Sequence, residues 1–333
     1  MPYFQVEDDV SDHHLLLVVE YMMDNMTHFT TFTLMEPHNA KSYRYIYFTC
    51  FLFLYVMILF LNIWLSVVIV LEKALHGPMY IFLCNLCVND IYGTTAFYPK
   101  FLHDLIFNSY VIPSYMCAFQ AFVVYTYVMC EYSTLAVMAY DRHVAICQPL
   151  DYHSKMNKFS CSILLSLCWV IPFLNMFIAV FLSSRLVPCR NHIDKLFCDN
   201  WSIVKLSCES TVINNIYGFI FISLYFSLVI VIMMSYIKLI IACKASLECR
   251  KKFWQTCVPH VISLINLTVA ILFDTIYNRY GSSDFPVNLR MFLALEMIVV
   301  PPLFNPVIYG IKLSEVRKRV LKLCMNCTKD DKD

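Results

Sequence analysis

The sequence predicts an all-α bundle of seven membrane-spanning helices, and three observations carry that reading. Hydrophobic residues make up 59% of the 333 and charged ones only 15%, where a soluble domain carries about 25% charged residues. Seven apolar stretches, at 46–71, 79–97, 116–146, 160–182, 212–241, 258–277 and 291–311, have the length of about 20 residues that a helix needs to cross about 30 Å of hydrocarbon. The cations are lopsided: 16 of the 25 Lys and Arg fall in alternate connections and after the last stretch. None of the stretches alternates as the strands of a membrane barrel do.

The richer side should face the cytoplasm. That puts a multi-pass protein in the plasma membrane, with its N-terminus extracellular and its C-terminus cytoplasmic. The net charge of +1 gives no reason to expect nucleic acid as a partner. Membrane lipid is the partner that the composition demands.

Residues 1–44 read as an extracellular segment expected to be disordered. Their acidic start (Glu7, Asp8, Asp9, Asp12) is the reverse of a signal peptide, so the first span should act as its own insertion signal. Asn25-Met26-Thr27 is a sugar-acceptor sequon, and Asn25 is the expected glycosylation site. Asn200-Trp201-Ser202 is a second, in a loop whose structure would hinder the transfer.

Residues 45–311 form the membrane domain. Asn62, Asp90, Glu131 and Asn305 lie at mid-span depth in the first, second, third and seventh stretches. Buried carboxylates are costly unless neutralised or paired. Two acids flanked by two amides can share a proton or hold a small cation, sodium at Asp90 and Glu131 being the candidate. Asp141-Arg142 closes the third stretch, where a charge just reaches water. Pro306 removes a backbone hydrogen bond in the seventh, so its inner end can swing.

Cys117 opens the third stretch, and Cys189, Cys198 and Cys208 share the following outer loop. An oxidising compartment allows disulfides there, and four Cys allow three pairings. Tyr125, Val128 and Met129 fall on one face of the third stretch by helical spacing, with Ile271 and Thr275 opposite on the sixth. They should line an apolar pocket suited to small molecules. Val124 beside this face offers no charge to anchor a cationic amine. Residues 312–333 form a basic amphipathic helix and tail, with Cys324 and Cys327 as palmitoylation candidates.

Five runs resemble the odorant receptors, a branch of the rhodopsin-like G-protein-coupled receptors. These are Gly77-Pro78-Met79-Tyr80-Ile81-Phe82-Leu83, Asp141-Arg142-His143-Val144-Ala145-Ile146-Cys147, Ser235-Tyr236, Lys252-Phe253-Trp254-Gln255-Thr256-Cys257-Val258-Pro259-His260 and Pro301-Pro302-Leu303-Phe304-Asn305-Pro306-Val307-Ile308-Tyr309. They span nearly the whole membrane domain.

The resemblance implies a receptor whose small-molecule odorant binds between the outer helix halves. A stimulatory heterotrimeric G protein would then raise cyclic AMP, through Asp141, Arg142, Tyr236, Asn305, Pro306 and Tyr309. It also implies the bridges Cys117–Cys198 and Cys189–Cys208. The chain departs from the family pattern at His143 (usually Tyr), at Pro259 (usually Ser), and at Leu267-Thr268-Val269-Ala270 in place of Phe-Tyr-Gly-Thr. These departures resemble fish-type members.

The alternative is a secondary transporter or ion channel using Asp90 and Glu131, which would favour inverted repeats that the chain lacks. No His-Glu-x-x-His or Gly-x-Ser-x-Gly run points to an enzyme.

Overall fold

The structure, a computed structural model, describes residues 30–37, 39–280 and 287–312. Among the described residues seven long helices follow one another: α1 (Ala40–Leu71), α2 (Pro78–Phe107), α3 (Ser114–Cys147), α4 (Lys158–Ser184), α5 (Val212–Ala242), α6 (Leu247–Tyr280) and α7 (Val287–Lys312). Single turns at Tyr152–Lys155 and a short helix at Asn200–Lys205 decorate two of the connections. Six of the long helices are apolar enough to cross a membrane by hydropathy alone. The exception is α2, whose Asn89, Asp90 and Thr94 are wholly buried. Lipid would not tolerate that polar face, so α2 turns it inward against α3.

Local chemistry sets the ends. Pro78 starts α2 where a missing N–H costs nothing, and Asn108 stops it in the left-handed region (φ 50°). The Asn157 side chain caps α4 by accepting from the Ser160 N–H at 2.9 Å. Helices α4, α6 and α7 run through Pro172, Pro259, Pro301, Pro302 and Pro306. Proline is tolerated in such helices where neighbouring segments satisfy the freed carbonyls. At Pro302 the partner is visible, since its carbonyl accepts from the Asn62 amide at 2.8 Å.

Helix α3 is the axis of the bundle. Of its most apolar window 72% is buried, against 6% for α5. Ile213, Ile220, Ile230 and Val231 of α5 stand exposed, as a lipid-facing surface should.

One expectation needs correcting. Residues 1–44 are not disordered throughout, because Thr31–Leu34 forms strand β1. It lies between β2 (Val111–Pro113) and β3 (His192–Ile193), antiparallel to the first and parallel to the second. Its alternation buries Phe32 and Leu34 against Ile112, Ile193 and the Cys117–Cys198 pair. The four-residue period-2 pattern was too short to stand out beside seven spans. The sequon at Asn25, the segment 313–333 and Cys324 and Cys327 lie outside the described residues.

Candidate functional site

The lid over the Cys117 end of the bundle is fixed by covalent bonds. Cys117 and Cys198 are bridged with Cα atoms 5.3 Å apart, and Cys189 and Cys208 with Cα atoms 5.4 Å apart. The first bridge anchors the loop to α3, and the Gln120 side chain reinforces it by accepting from the Cys198 N–H at 2.8 Å. Asp199 then caps the short helix through the Ser202 N–H at 3.0 Å. Asn200 packs inward, its side-chain oxygen accepting from Ser183 Oγ at 2.8 Å.

Beneath the lid lies a cavity of about 120 Å³ between α3, α4, α5 and α6. Tyr125, Val128, Met129, Ile271 and Thr275 all line it, together with Met176, Tyr217, Phe221 and Tyr225. Val124 does not line it; it is buried among apolar neighbours. The cavity is less purely apolar than the sequence suggested, because Asp274 and Arg279 also line it. Asp274 accepts from Tyr125 Oη at 3.0 Å and from Lys195 Nζ at 2.6 Å. Lys195 also reaches Asp199 at 2.9 Å. All three charges are almost fully buried. Burial pushes the Lys195 pKa down, but Asp199 and Asp274 outweigh it and hold the ammonium above its ordinary value.

At mid-depth, three of the four expected polar residues meet. The Asn305 amide donates to Glu131 at 3.0 Å and to Asp90 at 3.3 Å. Asn62 serves the same region differently: its amide donates to the Ile58 and Pro302 carbonyls and so ties α1 to α7. Asp90 Oδ1, Glu131 Oε2 and Asn62 Oδ1 have no hydrogen-bond partner.

At the opposite end of the bundle the Asp141–Arg142 pair is more enclosed than a boundary position suggested: Asp141 is fully buried and Arg142 is 9% exposed. Arg142 Nε donates to Asp141 at 2.8 Å and Nη2 bonds the same oxygen. Tyr152 Oη donates to the other carboxylate oxygen at 2.9 Å. Burial first, and Asp141 second, keep the Tyr152 phenol protonated by raising its pKa. Tyr236 and Tyr309 are not hydrogen-bonded to each other. His260 of α6 stands between them, its Nδ1 3.0 Å from Tyr236 Oη and its ring centre 5.5 Å from that of Tyr309. Pro306 lies buried one turn before Tyr309.

Sequence reasoning missed Asp274, Lys195, His260 and Tyr152 as site residues. Asp274 was findable, since a carboxylate inside an apolar span marks function by default. Lys195 and Tyr152 sit in loops with no periodic signal, and only the fold brings them to their carboxylates. A third pair, Cys243 and Cys249, brackets the turn from α5 to α6 with Cα atoms 5.1 Å apart and is bonded in the structure.

Comparison with known proteins places the chain among relatives of one kind. A family model described as olfactory receptor matches residues 51–327. Olfactory receptor 52D1 of Homo sapiens is 31% identical over 280 residues, covering 81% of this chain and 86% of that protein. Olfactory receptor 5AP2 of Mus musculus is 33% identical over 308 residues, covering 91% and 96%. Olfactory receptor 9G4 of Homo sapiens is 32% identical over 319 residues, covering 93% and 95%.

Proposed function

We infer the signalling route from a plain premise: this chain belongs to the olfactory receptor family, the seven-helix G-protein-coupled receptors of odorants. It is an odorant receptor and not an enzyme. The transducer is the stimulatory G protein, and the output is cyclic AMP. The N-terminus and the lid lie outside the plasma membrane, and the Arg142 mouth opens on the cytoplasm.

One observation carries the mechanism. Helix α6 supplies both a cavity wall, through Ile271, Asp274 and Thr275, and the inner contact of His260 with Tyr236. The 11 residues from His260 to Ile271 span roughly 16 Å at 1.5 Å each, so one helix links the two faces. An odorant that shifts the outer half of α6 strains the inner cluster. Arg142 then exchanges Asp141 for carbonyls of an inserted G-protein helix.

Asp90 and Glu131 hold a sodium ion in the resting state. The support is chemical: their unpartnered oxygens and that of Asn62 are acceptors, as a hard cation requires.

The test sets cyclic AMP accumulation against ion flux in the same cells. Arg142→Ala, displayed at wild-type density, should bind odorant and raise no cyclic AMP. Odorant-gated current that needs Asp90 and Glu131, without cyclic AMP, would establish the transporter or channel reading instead. Glycan attachment at Asn25 and antibody access to a C-terminal epitope only after permeabilisation would test the orientation.

A further inference from the structure

We propose that Asp274 is the recognition group of the odorant cavity, and that it selects small neutral molecules bearing a hydroxyl. The proposal rests on the receptor reading above and names the ligand chemistry that the same cavity takes.

Several polar groups of the walls are already engaged within the protein. Tyr132 donates to Thr268 at 3.3 Å and Tyr217 to the Asn175 carbonyl at 3.0 Å. Asn200 and Asn214 both turn to Ser183. The Asp274 carboxylate differs. Each oxygen has received one donor, Lys195 on Oδ1 and Tyr125 on Oδ2, and a carboxylate oxygen offers about two acceptor sites. It is 4% exposed yet lines the cavity. An acceptor facing an apolar space calls for a ligand that donates.

The sign of the ligand follows from its neighbours. Lys195 Nζ already sits on Asp274, and the Arg279 guanidinium lies along the same wall, 4.1 Å from the centre of the Trp201 ring. A further cation would meet both positive charges, and an anion would meet the carboxylate. A neutral hydroxyl meets neither objection. Its apolar body must be small, because a cavity of about 150 Å³ just holds benzene and this one is about 120 Å³.

Occupancy also has a mechanical effect. The Tyr125–Asp274 bond joins α3 to α6, and Lys195 and Asp199 extend it to the disulfide-held loop. A hydroxyl that donates to the second site of Oδ2 shares that oxygen with Tyr125, weakens the Tyr125 bond and so loosens α6 on its outer half.

The experiment measures the thermal shift of the purified full chain in lipid nanodiscs. The probes are straight-chain alcohols from butanol to octanol, benzyl alcohol, and the matched methyl ethers, aldehydes, amines and acids. The proposal expects at least one alcohol to stabilise the protein at about tenfold or more lower concentration than its ether, aldehyde, amine and acid counterparts. Asp274→Asn presents an amide N–H where an acceptor stood, so the preference for alcohol over ether should collapse. Tyr125→Phe frees Oδ2 and should strengthen alcohol binding about threefold. A purely structural Asp274 would not give these opposite effects, and Tyr125→Phe still decides the matter if Asp274→Asn misfolds.

The proposal is overturned if no alcohol binds. It also falls if amine, acid or ether binds as tightly as alcohol, or if Tyr125→Phe weakens alcohol binding. Cyclic AMP in cells separates the two levels. Alcohol binding with the expected variant pattern but no cyclic AMP refutes the signalling route alone. Cyclic AMP raised only by molecules without a donor, unchanged in Asp274→Asn, refutes the hydroxyl site alone.

Discussion

Substituting Gly93 by Ala tests how tightly α2 and α3 are joined. A Cβ at Gly93 would lie 2.2 Å from Tyr127 Cγ, 2.5 Å from Cδ2 and 2.8 Å from Cβ. Carbon atoms pack at about 3.5 Å or more, so the closest contact is short by roughly 1.3 Å. Rotating the tyrosine side chain cannot clear the methyl, because Tyr127 Cβ itself is too near. The helices must separate. That movement strains the Asn89 amide bond to the Tyr127 carbonyl (2.9 Å) and the Tyr127 Oη bond to the Met297 carbonyl (3.3 Å).

Overpacking of this kind costs about 1–3 kcal/mol, and with backbone involved the upper end applies. Against a total stability of about 5–15 kcal/mol, surface display should fall severalfold and the melting temperature should drop. Gly310→Ala is the control: nothing lies within 4 Å of its added Cβ, so it should display as wild type. Tyr127→Ala removes Cγ and Cδ2 and should partly rescue the double variant. Gly93→Ala that displays and melts like Gly310→Ala would refute the packing described for α2 and α3.

Three further outcomes are expected. Cys117→Ser opens a bridge spanning 81 residues and should cost roughly 2–5 kcal/mol, read as loss of surface display; near-wild-type display and melting would contradict the lid's role. Asp141→Asn weakens the charged bond to Arg142, worth about 1.5–3 kcal/mol. Ligand-free cyclic AMP should therefore rise about tenfold at equal surface density, and an unchanged baseline would show that the pair does not restrain the resting state. Cys243 and Cys249, placed on the inner face by the proposed orientation, should be thiols in living cells, where glutathione prevails. Because Cys243 is buried, cells are quenched in acid and the chain is unfolded before maleimide is added; labelling of both is expected, and protection of both would argue that this face is oxidising.

The seven spans were legible because each is a long apolar run, and lipid demands little else of a helix. The five cavity residues were legible too, since helical spacing alone puts Tyr125, Val128 and Met129 on one face. The lid sheet was not, because β1 has four residues and acquires its partners from loops some 80 and 160 positions away. Lys195 shows the same limit: its sequence neighbours give no sign that it will meet Asp274 across 79 residues. His260 lies inside one of the quoted runs, but its place between Tyr236 and Tyr309 depends on the packing of three helices.

These misses and successes have a common physical origin. In lipid, burying apolar surface does not discriminate one helix register from another, since the tails are as apolar as Leu. Close fits such as Gly93 against Tyr127, together with polar side chains, must therefore fix the register. Four buried carboxylates of the site are tied to a helix or loop other than their own: Asp90 and Glu131 through Asn305, Asp141 through Tyr152, Asp274 through Lys195 and Tyr125. The same ties are what any sliding of α6 or α7 has to break or exchange. A bundle held by a few strong directional bonds over an otherwise featureless apolar surface has discrete packings rather than a continuum of them. That is the property a receptor needs, and the charges that the membrane most disfavours sit at the three places where these ties are made: the Asp274 cavity, the mid-depth cluster and the Asp141–Arg142 end.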